Sequence, residues 1–168
     1  MSGGGPPFEI TVTHEGLDAL ARALRAEADG KQLRKELAKG MRDALKPAAV
    51  QAKSGIMAMS SAGPGTAPGL RSAIARKIRP EVKLGGNWSG ARVKAFKTRN
   101  IRNFPNAPKR TNRQSGWRHL TYGREPWVQQ QGRTLWFDRA MEGDTNVYTQ
   151  AVHEAMENMA RRIAARAG

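Results

Sequence analysis

Apolar positions recur with helical spacing toward both ends of this chain and with strand-like alternation between them. Leu17, Leu20, Ala21 and Leu24 share one face of a helix that Asp29-Gly30 ends. Leu33, Leu37, Met41, Ala44, Leu45, Ala48, Ala52, Ile56 and Met59 then follow at steps of three and four. They predict one long helix, kinked or restarted at Pro47, where a backbone N–H is missing. Its stripe is rich in Ala and Met, which suits a closely packed core face rather than a cofactor face. Residues 70–77 read as a short helix with Leu70, Ala73, Ile74 and Ile78 inward. Tyr148, Val152, Ala155, Met156, Met159 and Ile163 predict a last helix. Asp144 or Thr145 is its N-cap, and Arg161, Arg162 and Arg166 stand at the negative end of its dipole.

Strands fill the middle. Residues 8–13 alternate apolar and polar with β-branched side chains, a short half-buried strand. Segments 78–86 and 90–96 predict two strands around the glycines of 85–90. Segments 116–122 and 132–138 predict two more, joined by a turn region at 123–126. In the 90–96 strand Ala91, Val93 and Ala95 point one way while Arg92 and Lys94 point the other, which predicts basic side chains in a row on an exposed sheet face. Residues 63–69 form a loop rather than a phosphate loop, because the glycine spacing is wrong and no Lys-Ser/Thr pair follows. Residues 1–7 form a flexible lead-in, and 98–115, poor in apolar groups, a long mobile basic loop. The prediction is a single α+β domain over 1–168. An antiparallel sheet of about four strands is packed by the long helix and the C-terminal one.

Charge changes the picture most. Residues 1–70 carry 9 basic and 7 acidic groups, 71–139 carry 17 and 3, and 140–168 carry 3 and 4. Between Glu81 and Glu125 lie eleven Lys or Arg and no carboxylate. The middle of the chain must therefore meet something negative or repel itself in water. Arg92, Lys94, Lys97, Arg99, Arg102, Lys109, Arg110 and Arg113 are the candidates to face DNA or to dock on an acidic partner. With no Cys there is no disulfide or thiolate metal site. The first residues lack the basic and apolar regions of a signal peptide, and no stretch reaches the ~18 apolar residues of a membrane span. A soluble protein made in the cytoplasm, without membrane contact, is expected.

Catalytic constellations are sparse. Neither His14-Glu15 nor His153-Glu154 has the second histidine of a zinc helix. The best enzymatic arrangement is a metal-independent ribonuclease, with His119 and Glu125 as acid and base and Arg118 or Arg124 on phosphate. Such pairs arise by chance in a basic chain, so no catalytic residue, metal or cofactor is assigned. A pI of 11.2 suits non-specific nucleic-acid binding better. However, no helix-turn-helix, zinc-finger or aromatic RNA-binding signature accompanies it.

The order of the pieces carries a resemblance. The long Ala-rich helix leads to Pro68-Gly69-Leu70-Arg71-Ser72-Ala73-Ile74. Further on come Arg118-His119-Leu120-Thr121-Tyr122-Gly123-Arg124, Trp127-Val128-Gln129-Gln130-Gln131-Gly132-Arg133 and Trp136-Phe137. Over roughly 33–163 this resembles the minor tail or tail-completion family of long-tailed phages. That pattern has a Thr-Gly-x-Leu-Arg-x-Ser-Ile segment, an Arg-His-Pro-x-x-Gly turn and a Trp-Val-x-Gln step. Here Leu120 replaces the Pro, and Pro68 shifts Gly69. The resemblance implies a non-catalytic subunit of the head-to-tail neck in the virion. It would form a ring, expected to be a hexamer, around the DNA passage and contact other neck and tail proteins. Trp117, Tyr122, Trp127, Trp136 and Phe137 are then the candidate interface aromatics. The alternatives are a tail-terminator ring protein and a non-specific nucleic-acid-binding basic protein.

Overall fold

The long apolar stripe folds into the longest element of the computed structural model, which describes residues 14–59, 69–85, 89–101, 104–121 and 124–166. Outside these, and outside the side chains of 14, 15, 119–121 and 124, lie the predicted strand at 8–13, the lead-in at 1–7 and most of the 63–69 loop. In order the elements are α1 His14–Ala26, α2 Gly30–Met57, α3 Gly69–Arg76, β1 Ile78–Lys83 and β2 Gly90–Ala95. Then come α4 Ala107–Asn112, β3 Trp117–Thr121, β4 Arg124–Gln130, α5 Trp136–Met141 and α6 Thr145–Arg166. Helix and sheet are mixed as predicted, but among the described residues the strands form two separate two-stranded sheets, β1-β2 and β3-β4, not one of four.

The chain divides into two compact units. The first comprises 1–7, 50–79 and 94–142, the second 8–49, 80–93 and 143–168. The division falls within α2, which runs through Pro47 as one helix rather than restarting there.

The second unit is built by stripes. Leu17, Leu20 and Leu24 of α1, Leu33, Leu37, Met41 and Leu45 of α2, and Tyr148, Val152, Met156 and Met159 of α6 are all buried. Spacings of three and four place each set on one helical face, and burying each such side chain contributes about 1.5–3 kcal/mol. Helices α2 and α6 approach closely at Gly40, where an added Cβ would stand 3.7 Å from Ala155. The Asp144 carbonyl accepts from the Tyr148 N–H at 3.2 Å, so Asp144 opens α6 as its cap residue. Ala91 and Val93 bury the inner face of β2, as the alternation predicts.

In the first unit the core is more heterogeneous. Ala52 and Ile56 near the end of α2 and Met59 just beyond it are buried, as are Ile74, Ile78, Ala107, Trp117, Trp136, Phe137 and Met141. Helix α2 meets α5 at Gly55, where a Cβ would come within 2.9 Å of the Trp136 carbonyl. The Trp136 indole N–H donates to Thr111 Oγ1 at 3.1 Å, and that hydroxyl donates to the Ala107 carbonyl at 2.8 Å. A buried polar handle is thus satisfied at both ends.

Two predictions fail here, each for a non-local reason. The strand predicted at 132–138 is absent. Leu135 turns left-handed with φ of 54°, and Trp136 begins α5. The Asn112 side chain accepts from the Phe137 N–H at 2.8 Å and donates to Asp138 at 2.6 Å, capping α5 from α4. Strand β4 instead takes up Arg124–Gln130, beginning inside the turn region predicted at 123–126. The loop predicted over 98–115 contains α4, and its start is tied down. The Thr98 N–H donates to the Pro105 carbonyl and its hydroxyl to the Phe104 carbonyl, both at 2.8 Å. Ala107, Pro108 and Thr111 supply a buried face that is too small to register as an apolar stripe.

Candidate functional site

The basic side chains of the middle segment meet two different fates. Sequence counts over the units give 16 basic against 3 acidic groups in the first, +13, and 13 against 11 in the second, +2. In the second unit, five of the thirteen cations find carboxylates. Lys39 and Lys46 both reach Asp43, at 2.8 and 2.7 Å. Arg162 meets Glu36 at 2.8 Å, and Arg166 meets Asp29 at 2.8 and 3.0 Å. The hydrogen bond from Arg166 holds the Asp29 carboxyl below its usual range, and that from Arg162 does the same for Glu36. Lys39, then Lys46, lowers Asp43 to about 2.

Arg92 belongs to this paired group, against prediction. It bonds Glu81 across the β1-β2 sheet at 2.5 Å with its side chain only 14% exposed. The row of basic side chains expected on an open sheet face is therefore broken at its first member. Glu81 lies eleven residues back, on the neighbouring strand, where strand alternation within β2 gives no sign of it.

Four of the first unit's cations lie against rings instead. Arg79 at the start of β1 lies 4.5 Å from the centroid of the Phe96 ring, and Lys94 at the end of β2 lies 5.1 Å from the same ring. The Phe96 N–H donates to the Lys77 carbonyl at 2.9 Å, which holds the ring beside the strand ends. Arg110 on α4 stands 5.8 Å from the Phe104 ring, and Arg118 on β3 stands 5.8 Å from the Trp127 ring. In the antiparallel β3-β4 register Arg118 pairs with Gln129 and Leu120 with Trp127. Arg118 and Trp127 are hence diagonal neighbours on one face. Each such contact is worth about 0.5–1 kcal/mol at an exposed site and, unlike a carboxylate, leaves the full positive charge in place. Lys94, Lys97, Arg99, Lys109, Arg110 and Arg113 have no ion-pair partner among the described residues. Arg102 lies outside them.

The predicted interface aromatics divide. Trp117, Trp136 and Phe137 are buried and serve as core of the first unit. Tyr122 lies outside the described residues. Trp127 is 49% exposed and its neighbour Val128 38%. Every residue from Glu125 to Gln131 is exposed, so β4 shows both of its faces to solvent. Of the ribonuclease arrangement, Glu125 is exposed and the His119 side chain is not among those described. The described residues hold no group of three or more His, Asp or Glu placed to bind a metal, and no helix long and apolar enough to cross a membrane. Arg79, Phe96 and Phe104 were not singled out in the sequence. The signal was an aromatic residue just beyond the basic β2 strand, Phe96, and another within the basic 98–115 segment, Phe104.

No protein-family model, curated protein or solved structure matches the chain.

Proposed function

We propose that this chain is a structural subunit of the tailed-phage neck, of the tail-completion kind, that assembles into a ring around the DNA passage. The observation that carries the reading is the β3-β4 ribbon. Its second strand exposes Trp127 and Val128 on opposite faces and pairs on one side only among the described residues. Exposed large apolar groups on a two-stranded ribbon are costly in a lone monomer and suit a subunit whose neighbours cover them. The same strand carries the Trp127-Val128-Gln129-Gln130 step on which the resemblance to the family rests. Its partners are then further copies of itself, adjoining neck and tail proteins, and the DNA in the lumen.

Absolute mass by light scattering over a range of concentrations tests this. A discrete species six times the 18.4 kDa chain is expected, returning to the single chain on Trp127→Ser with Val128→Ser. A wild-type protein that stays at 18.4 kDa throughout, or a ring unmoved by the double variant, would contradict the reading.

A further inference from the structure

We infer that the first unit carries a binding surface for the phosphate backbone of duplex DNA, formed by cations seated on aromatic rings at three stations. These are Arg79 and Lys94 on Phe96, Arg110 on Phe104, and Arg118 on Trp127. The inference deepens the neck reading by naming what the basic segment meets, and it rests on that reading only for where the DNA comes from.

Three observations converge on a phosphate polymer. First, the unit's excess of +13 has few local carboxylates to set against it, and none of the four seated cations has an ion-pair partner among the described residues. Arg79 and Lys94 share one ring, so both charges lie within roughly one Debye length (~10 Å at 0.1 M salt) of each other. Keeping two like charges so close is unfavourable until an anion is shared between them. Second, a guanidinium held beside a ring, as Arg79, Arg110 and Arg118 are, keeps N–H groups that can still donate. A guanidinium's paired N–H groups grip a phosphate bidentately. Third, the stations stand on different elements: the β1-β2 ends, α4 and β3. A regularly charged polymer can engage dispersed cations without sequence preference. An acidic protein would need a matching set of carboxylates at fixed positions, and protein interfaces tend to exclude Lys from their centres.

The test is binding of a 30-base-pair duplex of arbitrary sequence to the full chain, followed by fluorescence anisotropy from 50 to 300 mM NaCl. Each phosphate neutralised adds about 0.9 to the log–log salt slope. Arg79→Gln, Lys94→Gln, Arg110→Gln and Arg118→Gln together should flatten the slope by about 3 to 4 and weaken binding more than tenfold at 100 mM. An equal loss of charge from the second unit (Arg22, Lys31, Lys35 and Arg42 to Gln) should change affinity less than threefold. Phe96→Leu with Phe104→Leu keeps every charge and leaves the Trp127-Val128 surface intact. It should cost about fivefold or more in affinity with the slope unchanged. Far-ultraviolet circular dichroism and melting of each variant separate lost binding from lost folding.

No binding at 50 mM salt, equal losses in the two charge variants, or polyglutamate bound as tightly as DNA would each overturn the inference. The last would make the partner an acidic protein. Unchanged affinity in the Leu variant would remove the aromatic seats. Rings that do not bind DNA would sink this inference and leave the neck reading standing. Binding by a permanent monomer would do the reverse.

Discussion

The two compact units handle the same kind of side chain in opposite ways. In the second, Asp29, Glu36, Asp43 and Glu81 each hold an arginine or lysine. The charge that remains is +2. In the first, Arg79, Lys94, Arg110 and Arg118 rest on Phe96, Phe104 and Trp127, and +13 remains. Exposed ion pairs contribute little stability, but they do cancel charge. Ring contacts contribute about as little and cancel none. What separates the units is therefore less how strongly their cations are held than what they remain able to attract.

If charge contributes so little, the first unit must be held by its core. The sharpest attempt to break that view is Trp136→Ala. It empties a fully buried site beside Phe137, whose ring lies 5.6 Å away edge-on. A loss of about 3–5 kcal/mol in denaturant unfolding is expected, and a loss below 1 would mean that something else supports this unit. A smaller effect is expected from Thr111→Val. The exchange keeps the volume but strands the Trp136 indole N–H and should cost about 1–3 kcal/mol by the same measurement. Were the variant as stable as the parent, the hydrogen bond would be incidental.

The smallest effect belongs to the second unit and to pH. Asp43 is held at about 2 when folded, below its ordinary 3.8, by Lys39 and Lys46. A depressed carboxyl contributes stability that is fully present above about 4 and is lost as pH falls through about 2. The melting temperature of Asp43→Asn should therefore lie slightly below the parent's at pH 5 and converge with it by pH 2. A gap that stays constant or widens on acidification would show that the ion pairs are not what holds that carboxyl low. Asp29 and Glu36 are held low in the same direction, so acid should loosen the second unit by more than one contact.

Much of the second unit was legible in the sequence, because its information is local. Leu33 to Leu45 and Tyr148 to Met159 repeat every three or four residues, and helical period alone puts them inside. The alternation of Ala91, Arg92 and Val93 likewise found β2. The first unit hides its reasons at a distance. Leu135-Trp136-Phe137 is a short apolar run that serves a strand or a helix equally well. The decision rests with Asn112, 25 residues before Phe137, whose side chain caps α5. The 98–115 segment reads as loop because its buried contributions are an Ala, a Pro and a Thr.

The site was half legible for the same reason. The basic run could be counted, but which cations keep their charge depends on neighbours along other strands. Glu81 removes Arg92 from the set, and Phe96 brings Arg79 into it. Trp117, Trp136 and Phe137 look like interface groups by type and prove to be core. Only folding distinguishes them from Trp127.

The partition of charge has a direct consequence that needs no partner. Salt should screen the first unit's self-repulsion and weaken the second unit's ion pairs. Amide hydrogen exchange at 50 and 500 mM NaCl reads both at once, segment by segment. The account predicts that protection over 104–121 and 124–142 rises with salt while that over 14–49 and 145–166 stays level or falls. Uniform change across both units, or a fall confined to the first, would contradict it.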